Sequence, residues 1–321
     1  MKLTQSLIIA ALALGLTACD SGQPPTKTWK YAVQGALSGD ISLSGQHTVL
    51  GSIHHGGSLW DTTKGERLFN WNHKQGEYST LRAAALSGND KIAVTAERNN
   101  IVVWNAQNGQ SWAFWQAPDQ VLAISLSENG RYALMGLMNN TATYFDLAQG
   151  GGLYTFSHDA EIRAVAISGN GKLAVTGSDD FTVKVWDLTT GAMKHHFKHE
   201  NQVKTVAISA SGRYVFSTAQ REDSVIWDTQ TGKPLHSLAY RNVNFTAARF
   251  SSKEDQLLLG TFQGKVHLID VKSGTELKQW HAQAKNVLGG SASKAILSVA
   301  FDASGKQYYA LGSDGMMAQF Q

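Results

Sequence analysis

The sequence predicts an all-β fold: a seven-bladed β-propeller of four-stranded blades, closed by an N-terminal strand that completes the last blade. Three observations predict it. An aromatic or large apolar position recurs at Trp60, Trp104, Phe145, Trp186, Trp227, Ile269 and Phe320, at spacings of 44, 41, 41, 41, 42 and 51. A period of roughly 40–45 residues is that of four short strands repeated around an axis. Runs rich in Val, Ile and aromatics alternate with turns such as "SGNG" and "SDDF", which read as hairpins. No long amphipathic helical pattern follows residue 18.

Each element of the repeat has its own mark. The innermost strand ends in Ser or Asp, as in "IRAVAIS" (162–168), "VKTVAIS" (203–209) and "ILSVAFD" (296–302). Its small Ala and Ser residues suit close packing near an axis. A glycine follows the first six of the recurring positions by five residues, at Gly65, Gly109, Gly150, Gly191, Gly232 and Gly274, and places a turn there. An apolar residue follows by eleven, at Trp71, Trp115, Phe156, Phe197, Leu238 and Trp280, on the outer strand. The patch "SWAFWQ" (111–116) reads as such a strand with Trp115 inward, in preference to a sugar-stacking platform. The seventh repeat has no room for a fourth strand after Phe320. The alternating segment "WKYAVQG" (29–35) is expected to supply it, closing the ring and covering its edges.

The N-terminal region is organised differently. Lys2 precedes the ten-residue apolar run "LIIAALALGL", which is shorter than the ~20 residues that span a bilayer. Charge, apolar run and small residues in that order make a secretory signal. Leu16, Thr17 and Ala18 before Cys19 resemble the lipobox of bacterial lipoproteins. That resemblance implies removal of residues 1–18, a diacylglycerol on the Cys19 sulfur and a membrane anchor facing the periplasm. More than one acyl chain is what stable anchoring requires. Residues 19–28 are then the lipidated cysteine and a polar tether, and 29–321 the propeller. Asp20 after the cysteine implies inner-membrane retention, with the outer membrane as the alternative. Cys19 is the sole cysteine, so the chain forms no internal disulfide and no cysteine metal site.

The whole of 29–321 resembles WD repeats, most closely at "VKVWDLTTG" (183–191). The resemblance implies that His158, Thr176, Asp180 and Trp186 form a hydrogen-bonded structural tetrad rather than a catalytic set. In the fifth repeat His199, Ser217 and Trp227 recur, but Arg221 stands where the aspartate is expected. The second repeat has His73, Thr95 and Trp104, again without the acid.

Composition narrows the function. The 28 basic residues stand against 25 acidic, and Lys2 leaves with the signal, so no basic footprint for nucleic acid exists. His54–His55 and His195–His196 are adjacent pairs whose side chains point to opposite faces of a strand, so neither pair is a ligand set. No HExxH, GxSxG, phosphate-loop or calcium-loop motif occurs. The expectation is a non-catalytic interaction or scaffold module in the bacterial envelope, with no cofactor beyond the lipid on Cys19, no metal and another envelope protein as partner. The alternative is an enzyme or a barrel-assembly factor, since "VHLIDVKSGTELKQW" (266–280) resembles a blade of the pyrroloquinoline-quinone type. Candidate partner-binding residues are Arg82, Arg163 and Lys204, which share one repeat position, and Arg98, Phe181, Arg221 and Phe262 from the turns on that side. Glu161, Glu200 and Asp179 lie close by and oppose the positive field.

Overall fold

The computed structural model describes residues 22–74, 76–282 and 295–321. Cys19, Asp20 and the signal segment lie outside the described residues. Within them, 28 strands form seven four-stranded antiparallel sheets, and no helix occurs among the described residues. Six blades take four consecutive strands each. Blade one is Ala36–Ile41, His47–Ser52, Gly56–Asp61 and Glu66–Trp71; blade four is Ile162–Ile167, Leu173–Ser178, Thr182–Asp187 and Met193–Lys198.

Blade seven takes Ile296–Phe301, Tyr308–Gly312 and Met316–Phe320 from the end of the chain and Lys27–Lys30 from its beginning, with Thr28 opposite Ala318. The ring is therefore closed by an N-terminal strand, but at 27–30 rather than 29–35. The reason is Tyr31. It leaves the strand to stack on Trp60 of blade one, with ring centroids 4.4 Å apart. The polar tether expected over 20–28 is shortened to match. Gln23 donates its N–H to Gln279 O at 3.1 Å and accepts that of His281 at 3.0 Å, beside the outer strand of blade six. Thr26 donates its N–H and its hydroxyl to Gln319 O, at 2.8 and 3.0 Å.

The recurring positions are the joints between blades. Trp104 stacks on Trp71 of the blade before it at 5.1 Å, Trp186 on Phe156 at 4.5 Å and Trp227 on Phe197 at 4.2 Å. Phe320 lies against Trp280 at 5.4 Å, and Phe145 meets Trp115 edge-on at 5.7 Å. Such pairs add ~0.5–1.5 kcal/mol beyond the area they bury. Trp115 points inward with its indole N–H on Leu147 O at 3.1 Å, while Trp112 and Phe114 of the same strand are exposed. The Ser or Asp ending each innermost strand closes the next turn. Ser168 Oγ accepts the Leu173 N–H at 3.0 Å, and Ser127 and Ser209 repeat the bond to Tyr132 and Tyr214.

Candidate functional site

In blade four, the turn between its second and third strands carries the tetrad. His158 Nδ1 lies 2.8 Å from Asp180 Oδ2 and its Nε2 lies 2.7 Å from Thr176 Oγ1, which accepts the Trp186 indole N–H at 2.9 Å. With the indole as donor only and the carboxylate as acceptor only, a neutral His158 satisfies the chain in one proton order. Trp186 donates to Thr176, Thr176 to His158 Nε2, and His158 Nδ1–H to Asp180. Burial of the His158 ring favours that neutral state. Burial pushes its pKa down, against the opposing pull of Asp180. Asp180 is itself held at about 2. Burial would raise it, but Thr182, the Asp159 N–H and His158 all donate to the carboxylate and prevail. The set has the order of an Asp–His–hydroxyl triad, yet the Thr176 hydroxyl is fully buried and already accepts the indole N–H, so it presents no nucleophile to solvent.

Blade five corrects the sequence reading. His199 Nε2 meets Ser217 Oγ at 2.9 Å, Ser217 accepts the Trp227 N–H at 2.8 Å, and the carboxylate is Glu222, 3.0 Å from His199 Nδ1. Arg221 is not a replacement for the acid. It takes the left-handed turn position, φ 59°, that Phe181 takes in blade four at 71°. The two turns are equally long, with Trp186 ten positions after Thr176 and Trp227 ten after Ser217, but the acid of the fifth stands one place later and the longer glutamate reaches back. In blade two the chain stops at the histidine: His73 Nε2 meets Thr95 at 2.9 Å, and its buried Nδ1 has no hydrogen-bond partner among the described residues.

The other predicted residues gather at one end of the axis, where the innermost strands begin. The axis holds a cavity of about 760 Å³. In six innermost strands the register shifts at the second residue, a β-bulge that turns that side chain toward the mouth. Around the mouth these residues are Leu37, Leu122, Arg163, Lys204, Thr246 and Leu297, with Arg82 at the same place in blade two. Arg82, Arg163 and Lys204 do share one height, but not one electrostatic state. Arg163 Nε and Lys204 Nζ both bind Asp179, each at 2.9 Å, and Arg163 also pairs with Glu161. Arg82 is exposed and makes no side-chain hydrogen bond or ion pair with any described residue.

The turns between second and third strands surround the mouth. Arg98 and Arg221 are exposed there. Phe181 and Phe262 are 44% and 51% exposed. The leucines of the mouth, together with Val33, Tyr78 and Met138 on the same end, escaped the sequence reading, because an apolar residue in a short run reads as core until the bulge is seen. Among the described residues no group of three or more His, Cys, Asp or Glu side chains is placed to hold a metal ion. His195 instead hydrogen-bonds Thr229 O at 2.6 Å and stacks on Phe197.

Seven blades and a buried His–Thr–Trp turn network together support a propeller of the WD-repeat type. Residues 151–187 match the family model described as WD domain, G-beta repeat. The match covers one repeat, from the outer strand of blade three through the third strand of blade four, and the chain is similar to that family there. A search of curated proteins returns no match to the chain.

Proposed function

We propose that this chain is a non-catalytic interaction module of the bacterial envelope, held at the membrane by lipid on Cys19, which docks a partner protein on the end where the innermost strands begin. The observation that carries the reading is the distribution of exposed large apolar side chains. Of the fourteen among the described residues, six, Val33, Leu37, Tyr78, Met138, Phe181 and Phe262, lie at that end, seven lie along the outer strands, and Leu43 lies on a turn at the other end. Apolar patches left on a well-packed surface mark interaction sites. Phe181 adds backbone evidence. At φ 71° it occupies a region that costs a non-glycine residue of order 1–3 kcal/mol. A strained exposed aromatic is a poor choice for stability alone, and aromatics are favoured anchors at interfaces. The near-even charge balance, 28 basic against 25 acidic residues, favours protein over nucleic acid as the partner.

Two measurements test this. Cys19→Ala abolishes incorporation of labelled fatty acid and leaves an uncleaved precursor; equal labelling of the variant removes the anchor from the reading. In pull-downs from detergent-solubilised membranes, Phe181→Ser with Phe262→Ser loses the partners that wild type captures while melting like wild type. Unchanged capture shows that docking takes place elsewhere. A bound chromophore or stoichiometric metal in the purified protein would favour the enzyme alternative instead.

A further inference from the structure

The residues around the mouth divide into two arcs. On blades four, five and six the polar groups are satisfied within the chain. Arg163 and Lys204 share Asp179, and Thr246 donates its hydroxyl to Ile296 O at 2.6 Å. On blades seven, one, two and three the succession is Leu297, Leu37, Arg82 and Leu122. Leu37 is 39% exposed and the other two leucines are half-buried. In their midst stands the exposed guanidinium of Arg82, without a side-chain partner among the described residues. Glu97 is the acid nearest in strand register, and it is turned to the Thr80 N–H, which it accepts at 2.8 Å. The backbone under Arg82 is fixed on both sides. Leu81 O accepts the Ser38 hydroxyl of blade one at 2.9 Å, and the Arg82 N–H donates to Ala96 O at 3.0 Å.

A guanidinium offers five N–H donors in a planar fork that matches a carboxylate. Apolar walls on either side exclude water once a ligand is seated, which strengthens a charge-assisted bond. The leucines meanwhile gain from burial against apolar groups. Neither half of this chemistry is available on the other arc, where Asp179 already occupies the cations.

We propose that this arc receives an extended segment of a partner protein in which an Asp or Glu side chain is flanked by leucine-like side chains, the carboxylate on Arg82 and the apolar groups on Leu37 and Leu122. The proposal rests on the interaction-module reading above and narrows it. It also replaces the expectation that Arg82, Arg163 and Lys204 act as one basic set: only Arg82 is available to a ligand.

The test is selection of random twelve-residue peptides displayed on phage against the immobilised propeller, followed by affinity measurement of the enriched peptides. The expected consensus places an acid beside Leu, Ile or Phe. Arg82→Ala should weaken those peptides about tenfold or more, the scale of a charge-assisted hydrogen bond. Arg82→Glu should select peptides with Lys or Arg in place of the acid, and Lys253→Ala, on a turn at the far end, should change nothing. Thermal melts confirm that each variant is folded. Enriched peptides that lack an acid, or that bind Arg82→Ala as tightly as wild type, overturn the proposal. If those same peptides lose affinity on Phe181→Ser with Phe262→Ser, the interaction-module reading survives its loss. No enrichment over a blank surface overturns both.

Discussion

At the scale of single residues, the turn network makes stability depend on pH with a definite sign. His158 and His73 both have pKa values pushed down by burial. The unfolded chain takes up a proton near pH 6.5, where the fold does not. The stability each histidine contributes is therefore fully present above that pH and is lost as pH falls below it, at up to about 1.4 kcal/mol per pH unit per proton. Asp180 follows the same direction lower down, since its folded pKa of about 2 lies below the usual carboxylate value. Its contribution is lost as pH drops from roughly 4 toward that value. Urea titrations from pH 8 to pH 3 should show two successive falls in stability. His73→Gln should flatten the upper one, and an unchanged slope would mean that His73 does not titrate differently on folding. Asp180→Ala should cost ~1–3 kcal/mol, the penalty of leaving buried donors unsatisfied. In the sequence the tetrad of blade four was legible, because type and spacing both fit. Glu222 was not, because in a turn of the same length the acid stands one place later than expected and only side-chain reach restores the bond.

At the scale of the strand and its turn, the repeated glycine has two physical causes. Gly191 has φ 74°, in the left-handed region, and an added Cβ would stand 2.6 Å from the Tyr154 ring of the preceding blade. Tyr154 also donates its hydroxyl to Thr189 O in the same turn, at 3.1 Å. His195 over Gly232 and His236 over Gly274 repeat the arrangement, each with Nε2 close to a carbonyl oxygen of that turn. The turn is thus a socket for a ring from the neighbouring blade. Gly191→Ala should cost about 1–2 kcal/mol for the backbone alone, and more for the displaced ring. Adding Tyr154→Leu should recover only the part due to the ring, which a double-mutant cycle in urea measures; additive losses would mean that socket and ring are uncoupled. The glycines were visible in the sequence as a period. Their partners were not, because residues some forty positions apart carry no local signal of which ring rests on which turn. The same limit misplaced the closing strand: alternation runs through both 27–30 and 29–35, and only the packing of Tyr31 on Trp60 separates them.

At the scale of the whole molecule, a ring of seven blades opens most readily at the seam where strand pairing alone closes it: residues 296–320 of blade seven are joined to blade one through Lys27–Lys30, which no covalent link ties to Met316–Phe320. The outer edge of that seam is held by Lys27–Lys30. Its inner edge is held by Asp40 of blade one, on the wall of the axial cavity. Asp40 Oδ1 binds Arg249 of blade six at 2.7 Å and accepts the Ser298 hydroxyl of blade seven at 3.0 Å, while Oδ2 accepts the Leu86 N–H of blade two at 3.1 Å. Arg249 passes over blade seven, which carries Ala300 at the corresponding position, so the pair clamps the closing blade between its neighbours. Removing Arg249 leaves Asp40 with two donors, whereas removing Asp40 strands Arg249, Ser298 and the Leu86 N–H together. Asp40→Ala should therefore destabilise more than Arg249→Ala, by ~1–3 kcal/mol for the donors left unsatisfied. Native-state hydrogen exchange localises the effect. Arg249→Ala should speed exchange of the Ile41 N–H, which Ser298 Oγ accepts at 3.1 Å across the seam. The Ile167 N–H, held by Ser125 Oγ at 3.1 Å between blades three and four, should exchange as in wild type. Equal acceleration at both sites would mean that the pair supports the ring as a whole and does not guard the seam.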